Sequence, residues 1–237
     1  MNNEVRLCID KIKSRDPYKR DASGAIAGLT ELFWEPGTTL KIRFLEGDPQ
    51  VIAKVKEKFN LWLNYANSLN FEYVDSGDAD VRVAFKEGGG HWSYLGKDIK
   101  TIPMNEPTMN LGWRHESQPD DEEIERVAVH EMGHTLGFIH EQSQPKANIL
   151  WDEDKVYEFF GRTQGWDKEM TFHNVLERYS ERITKFSDYD PLSIMHYEIP
   201  GFLLKNGQDI VGGTKLSNSD KAFSEELYGK KEDSYGK

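Results

Sequence analysis

Cysteine is almost absent from this chain: Cys8 stands alone among 237 residues, so no internal disulfide can form. Stability must then come from a packed core, from a bound metal, or from both. Long apolar runs are missing too. No stretch approaches the roughly 18 residues that a membrane helix needs, and the residues from Met1 to Lys11 lack the apolar segment of a secretory leader. Basic charge is in the minority, with 30 Lys and Arg against 41 Asp and Glu and a formal net charge of −11. That balance argues against nucleic acid or an anionic membrane as a partner. No internal repeat is present. The triple glycine Gly88-Gly89-Gly90 lacks the Lys-Ser/Thr and the opening helix of a phosphate loop. What is there suffices for folding: 37% hydrophobic and 12% aromatic residues can fill one sizeable domain, or two lobes around a cleft.

Local patterns outline the elements. Residues 1–37 are mixed and charged, and Arg15-Asp16-Pro17 and Lys19-Arg20-Asp21 read as loop. From 39 to 46, Leu40, Ile42 and Phe44 alternate as in a half-buried strand. Asp48-Pro49 then opens an amphipathic helix reaching about Asn67, with Asp as cap and Pro in the first turn. Strands are expected over 71–75, 79–85 and 91–95, the last containing Trp92, Ser93 and Tyr94. Asp120 to Glu123 place acidic side chains where they favour a helix N-terminus. Later helices are expected over 151–160 and 167–179, and a final one from about Ser217 to Tyr228.

The helix opened by Asp120 carries the chemistry. From His130 the sequence reads H-E-x-x-H-x-x-G-x-x-H, ending at His140. His130 and His134 stand one helical turn apart on one face, so two ring nitrogens can meet one ion at about 2.0–2.1 Å. Gly137 can take positive φ, end the helix and return His140 to the same ion. Glu131 lies beside these ligands without being one, and is placed to take a proton from water on the metal. A bare HExxH arises by chance in roughly one chain in a hundred of this length. Adding the glycine and third histidine lowers that by roughly a thousandfold. The pattern therefore reads as one catalytic Zn2+ per chain. The bland reading is a degenerate former enzyme.

These residues resemble the metzincin metalloproteases, and within them the astacin family. Glu141 directly follows the third histidine, as in astacins, and Ser193-Ile194-Met195-His196-Tyr197 is similar to their Met-turn, 55 residues beyond His140 at Met195. Ala79 to Val83, Trp92 to Gly96, and Leu216-Ser217 with Asp220 look like further family segments, so the likeness spans about 38–229. The resemblance implies an α+β fold of two lobes: a twisted mixed sheet with two long helices, then a helical and irregular lobe, with the cleft between. It implies Met195 beneath the metal, and Tyr197 as a displaceable fifth ligand that stabilises the oxyanion. Trp92, Ser93 and Tyr94 would form the cleft-edge strand that pairs with an extended peptide or protein substrate. Animal astacins carry two disulfides in this domain and a cysteine where this chain has His91, so it reads as a disulfide-free, microbial-type branch.

The expected organisation is an N-terminal extension or pro-segment over 1–37 and one catalytic domain over 38–237, its lobes meeting near 140–141. Cys8 reads in two ways. It is either a thiolate from a removable segment that blocks the metal, as in many metzincin zymogens, or an ordinary small hydrophobe. Asp10 and Asp16 are lesser candidates for the blocking role, and Lys19-Arg20 is a basic cleavage site. After processing, Glu141 would bind the new N-terminus, as its astacin counterpart does. His91, His115, His173 and His196 are not assigned to metal. The reading as a whole is a monomeric zinc endopeptidase, with action outside the producing cell favoured over a place inside it. Two alternatives stand beside it: a silent peptide-binding relative, disfavoured by the intact Glu131 and Tyr197, and a serralysin-like enzyme, disfavoured by the lack of glycine-rich calcium repeats.

Overall fold

The computed structural model describes residues 8–11, 30–113, 119–178 and 188–230, the first of these segments as backbone. Among the described residues six strands form one sheet: β1 (Cys8–Lys11), β2 (Thr39–Phe44), β3 (Asn70–Tyr73), β4 (Val81–Ala84), β5 (His91–Tyr94) and β6 (Met109–Leu111). Their order is β1-β5-β6-β4-β2-β3. All neighbours run parallel except β5 and β6, which are antiparallel.

The strands follow from their side chains. In β2, Leu40 and Ile42 are buried while Thr39 and Lys41 face out, the period-2 alternation of a sheet with one covered face. In β4 every residue is buried, including Arg82. Its guanidinium is satisfied by the carbonyls of Ala79, Asp80, Ile102, Pro103 and Glu106. Strand β6 is three buried residues long and shows no alternation, so no pattern in the sequence announces it.

Two helices cover the sheet. In α1 (Pro49–Phe59) the Asp48 carboxylate accepts from Gln50 N at 2.7 Å, and Pro49 sits in the first turn. The helical spacing predicts continuation to about Asn67, yet the chain tightens into 3-10 turns over Asn60–Asn64. There Trp62, fully buried, donates from Nε1 to Val129 O at 2.9 Å and ties this turn to the second helix. That helix, α2 (Asp121–Thr135), is capped by Asp120, whose side chain accepts from Glu123 N.

Beyond α2 lie α3 (Glu153–Gln164), the single turn α4 (Lys168–Thr171) and α5 (Asn218–Tyr228). The helix expected over 167–179 is α-helical only in α4, then widens to π-helix over Phe172–Leu176. Two apolar cores result. The larger joins the sheet, α1 and α2 with Trp34, Ile194, Met195 and Tyr228; the smaller gathers Trp151, Val156, Phe160, Val175, Tyr197, Ile199 and Leu204. This is the two-lobed α+β architecture expected. The segment 193–197 crosses from one core to the other, and α5, though last in sequence, packs on the first. No helix among the described residues is long and apolar enough to cross a membrane.

Candidate metal centre

Helix α2 ends in a way its sequence dictates. Gly137 has φ +100°, Phe138 N donates to Gly133 O and Gly137 N to His134 O, the paired bonds of a Schellman C-cap. The reversal brings His140 back over the helix. The Nε2 atoms of His130, His134 and His140 then lie 3.1–3.2 Å from one another, all buried. Among the described residues this is the only group of His, Cys, Asp and Glu gathered closely enough for a metal.

The rings are oriented from behind. Because a carbonyl can only accept, His130 donates from Nδ1 to Ile194 O at 2.6 Å, and His134 from Nδ1 to Phe138 O at 2.7 Å. Those bonds fix the tautomer and leave the Nε2 lone pairs facing inward. Converging lone pairs at this separation repel unless a cation lies among them. Three ligands about 2.0–2.1 Å from one tetrahedral ion would be about 3.3–3.4 Å apart, close to the spacing found. The three imidazoles fit a zinc ion with a fourth position open.

The other candidates surround this cluster. Glu131 is buried on α2 beside His130. Met195 lies under the helix: a Cβ on Gly133 would collide with its sulfur, so glycine is what lets the turn approach. The Tyr197 ring stands edge-on to His140, 5.1 Å between centroids, and its hydroxyl points at Asn174 O at 3.4 Å. That carbonyl belongs to the π-helical turn, a partner that no pattern in the sequence reveals. Glu141 is held by Asp190 N at 2.8 Å and by Gln144, and its own N–H donates to Met195 O. Burial pushes its carboxyl up to about 7, against those two hydrogen bonds.

His196 is buried, donating from Nδ1 to Tyr197 O at 2.7 Å and accepting from Tyr189 Oη at 3.0 Å. Burial lowers its pKa to about 4, so it is a neutral part of the turn. His91 packs against Trp113 at the start of β5 and His173 pairs with Glu177, both apart from the three convergent nitrogens. His115, Asp16 and Lys19-Arg20 lie outside the described residues.

Strand β5 carries Trp92, Ser93 and Tyr94 as expected, and Ser93 Oγ lies 3.0 Å from Thr135 Oγ1 on α2. Its outer edge is covered. Strand β1 pairs with it in parallel, Cys8 opposite His91, Ile9 opposite Trp92 and Asp10 opposite Ser93. A four-residue strand inside a charged segment leaves no signal in the sequence. Trp34 likewise falls outside the expected domain limits, and its indole donates to Thr135 O at 2.8 Å.

Comparison with known proteins agrees with this geometry. The solved structure of myroilysin superimposes with a TM-score of 0.81 at 39% identity, covering 86% of this chain and 98% of that one. A hatching-enzyme zinc protease from medaka shares the fold, with a TM-score of 0.55 at 18% identity over 84% of this chain and 95% of that one. Zinc metalloproteinase nas-30 of Caenorhabditis elegans is 26% identical over 186 residues, 78% of this chain and 22% of that protein. The chain spans between about a fifth and a third of the length of the curated relatives it matches. The model of Astacin, a peptidase family, matches residues 34–221, most of the chain, and this protein therefore belongs to the astacin family.

Proposed function

We propose that this chain is a zinc-dependent endopeptidase that hydrolyses peptide bonds, with Glu131 as general base and Tyr197 steadying the oxyanion. The observation that carries the reading is the convergence of three Nε2 atoms, two of them on tautomer-fixed rings, beside a buried glutamate on the same helix. When bound, zinc supplies Lewis-acid polarisation and lowers the pKa of water towards about 7. The Glu131 carboxylate takes the proton of the attacking water and returns it to the leaving amine nitrogen. The Tyr197 hydroxyl, resting near Asn174 O, turns to donate to the oxygen on which charge develops. Met195 fills the space under α2 and holds the ligands level.

Extended peptides are the substrate class this reading assigns, because a strand edge binds through backbone hydrogen bonds. The chain's own β1 occupies that edge along Trp92, Ser93 and Tyr94. This pairing supports a self-blocked form in which the N-terminal segment must leave before cleavage, with Cys8 as the candidate blocking group. Such a latent form suits a protease delivered outside the cell that makes it.

The test is cleavage of casein by wild type and Glu131→Ala, each assayed for zinc. Zinc in both, with cleavage by wild type alone once the N-terminal segment has been removed, is expected. Equal cleavage by both would overturn the role of Glu131. Cleavage by neither, persisting after Cys8→Ser and removal of the N-terminal segment, would overturn the enzyme.

A further inference from the structure

Among the three imidazoles, His130 is tied to something more than a carbonyl. Its Nδ1–H donates at 2.6 Å to Ile194 O, the oxygen of the Ile194–Met195 peptide. The N–H of that same peptide, on Met195, donates at 3.0 Å to Ser193 Oγ. The serine hydroxyl in turn donates at 2.6 Å to Asp220 Oδ1. Four buried groups thus form one unbroken chain from a carboxylate on α5 to a ring on α2, and Ser193 and His130 are 1% and 5% exposed. The second oxygen, Asp220 Oδ2, accepts from Ile194 N and Ser217 N, both at 2.8 Å. Burial pushes the carboxyl pKa up, and these hydrogen bonds oppose the rise. Each of them comes from a donor, so the surroundings are arranged for the ionised form.

We propose that Asp220, acting through Ser193 and the Ile194–Met195 peptide, is the remote carboxylate of His130 and strengthens its grip on zinc. The inference rests on reading His130 as a metal ligand. A peptide whose N–H is drawn towards an acceptor carries more negative charge on its oxygen, and hydrogen bonds in series reinforce one another. Ile194 O then accepts more strongly from Nδ1–H, which holds the ring and makes Nε2 a better donor to a metal. In many metal sites a carboxylate touches the histidine directly. Here the Met-turn lies between, and an amide and a hydroxyl carry the effect across it. A helix cap alone does not require this arrangement. The capping box of Ser217 and Asp220 uses Oδ2 and the backbone, whereas Oδ1 is given to Ser193. Asp220 and Ser193 are therefore positioning residues that join the last helix to the first ligand.

The experiment measures zinc affinity by chelator competition in the full chain, alongside the Nδ1–H proton resonance of His130. Ser193→Ala and Asp220→Asn are each expected to weaken zinc binding by about 10–100-fold, and to shift the resonance in the direction of a weaker hydrogen bond. Ser217→Ala, which removes the cap hydroxyl but leaves the chain to His130, is expected to lower thermal stability while zinc affinity stays near the wild-type value. Because the links are in series, the double variant should lose little more than the worse single one. Where Asp220→Asn does not fold, Ser193→Ala decides the matter. Wild-type affinity and an unmoved resonance in folded Ser193→Ala would overturn the proposal while leaving the metal site intact. A wild-type chain that binds no zinc would overturn both.

Discussion

Replacing Gly137 by alanine tests whether one backbone reversal assembles the metal site. The residue holds φ +100°, and an added Cβ would lie 2.8 Å from Phe33 Cδ1. Phe33 has little room to retreat, since its ring is lodged against Phe138 and Tyr228 at centroid distances of 6.4 and 6.3 Å. Two costs therefore add. An L-residue in left-handed backbone costs about 1–2 kcal/mol, and the forced contact costs about 1–3 kcal/mol, giving about 2–5 kcal/mol together. Gly165 supplies the control. It caps α3 at φ +69° with nothing within 4 Å of an added Cβ, so Gly165→Ala should show the backbone cost alone. At about 2–4 °C per kcal/mol for a domain of this size, Gly137→Ala should lower Tm by about 4–20 °C and Gly165→Ala by about 2–8 °C. Melting both in chelator keeps metal binding out of the comparison. With zinc restored, Gly137→Ala should also bind the ion more weakly, because His140 no longer returns to the same point. Equal shifts in the two variants, with normal zinc affinity in Gly137→Ala, would refute the reasoning.

Other perturbations address separate parts of the molecule. Arg82→Lys removes a fork that meets five carbonyls and should cost about 2–4 kcal/mol; an unchanged urea midpoint would contradict that. Burial raises the phenol pKa of Tyr73 and Tyr228 far above the ordinary value, and that of Tyr189 to about 12. In the unfolded chain these groups ionise near about 10, so above that pH the unfolded state has lost protons the folded state keeps. Stability then falls as pH rises, and tyrosinate absorbance from these residues should appear together with loss of near-UV dichroism; free titration at the ordinary phenol pKa in the folded protein would count against it. Chelation should lower Tm in a zinc-dependent way, about 4 kcal/mol being regained when free zinc is restored to about a thousand times its Kd. Cys8→Ser should raise the initial rate of casein cleavage over that of the unprocessed wild type, and equal rates would dismiss the thiol as a block.

How far the site was legible in advance depended on the range of each interaction. The zinc motif is local: a turn of helix, a glycine and a return, all within the residues from His130 to His140. Its geometry could be reasoned out from spacing, and the three nitrogens do lie 3.1–3.2 Å apart. The cap of α1 by Asp48 was legible for the same reason. The strand β6, by contrast, is three buried residues without alternation, and β1 exists because a distant edge at His91–Tyr94 offers backbone partners. The end of α1 at Phe59 is set by the bond from Trp62 to Val129 O, which apolar spacing along one helix does not reveal. Tertiary partners, and not local propensity, decided each of these.

The same distinction explains where the functional turn lies. Ile194 and Met195 belong to the apolar core under the sheet, while Tyr197 and Ile199 belong to the smaller core of the second lobe. The turn between them is short, and both its ends are anchored: Asp220 grips Ile194 N, and Gly213 N donates to His196 O. Gly212 and Gly213 lie against the backbone of this turn so closely that a Cβ on either would collide with it. A displacement of one lobe relative to the other must therefore pass through the residues that touch His130 and His140. Gly213→Ala tests this coupling, because its Cβ would press on the backbone of Leu192 and Ser193 at the start of the turn. It should lower both stability and zinc affinity, although residue 213 is no ligand. Loss of stability with zinc affinity untouched would show that the two cores move independently of the site.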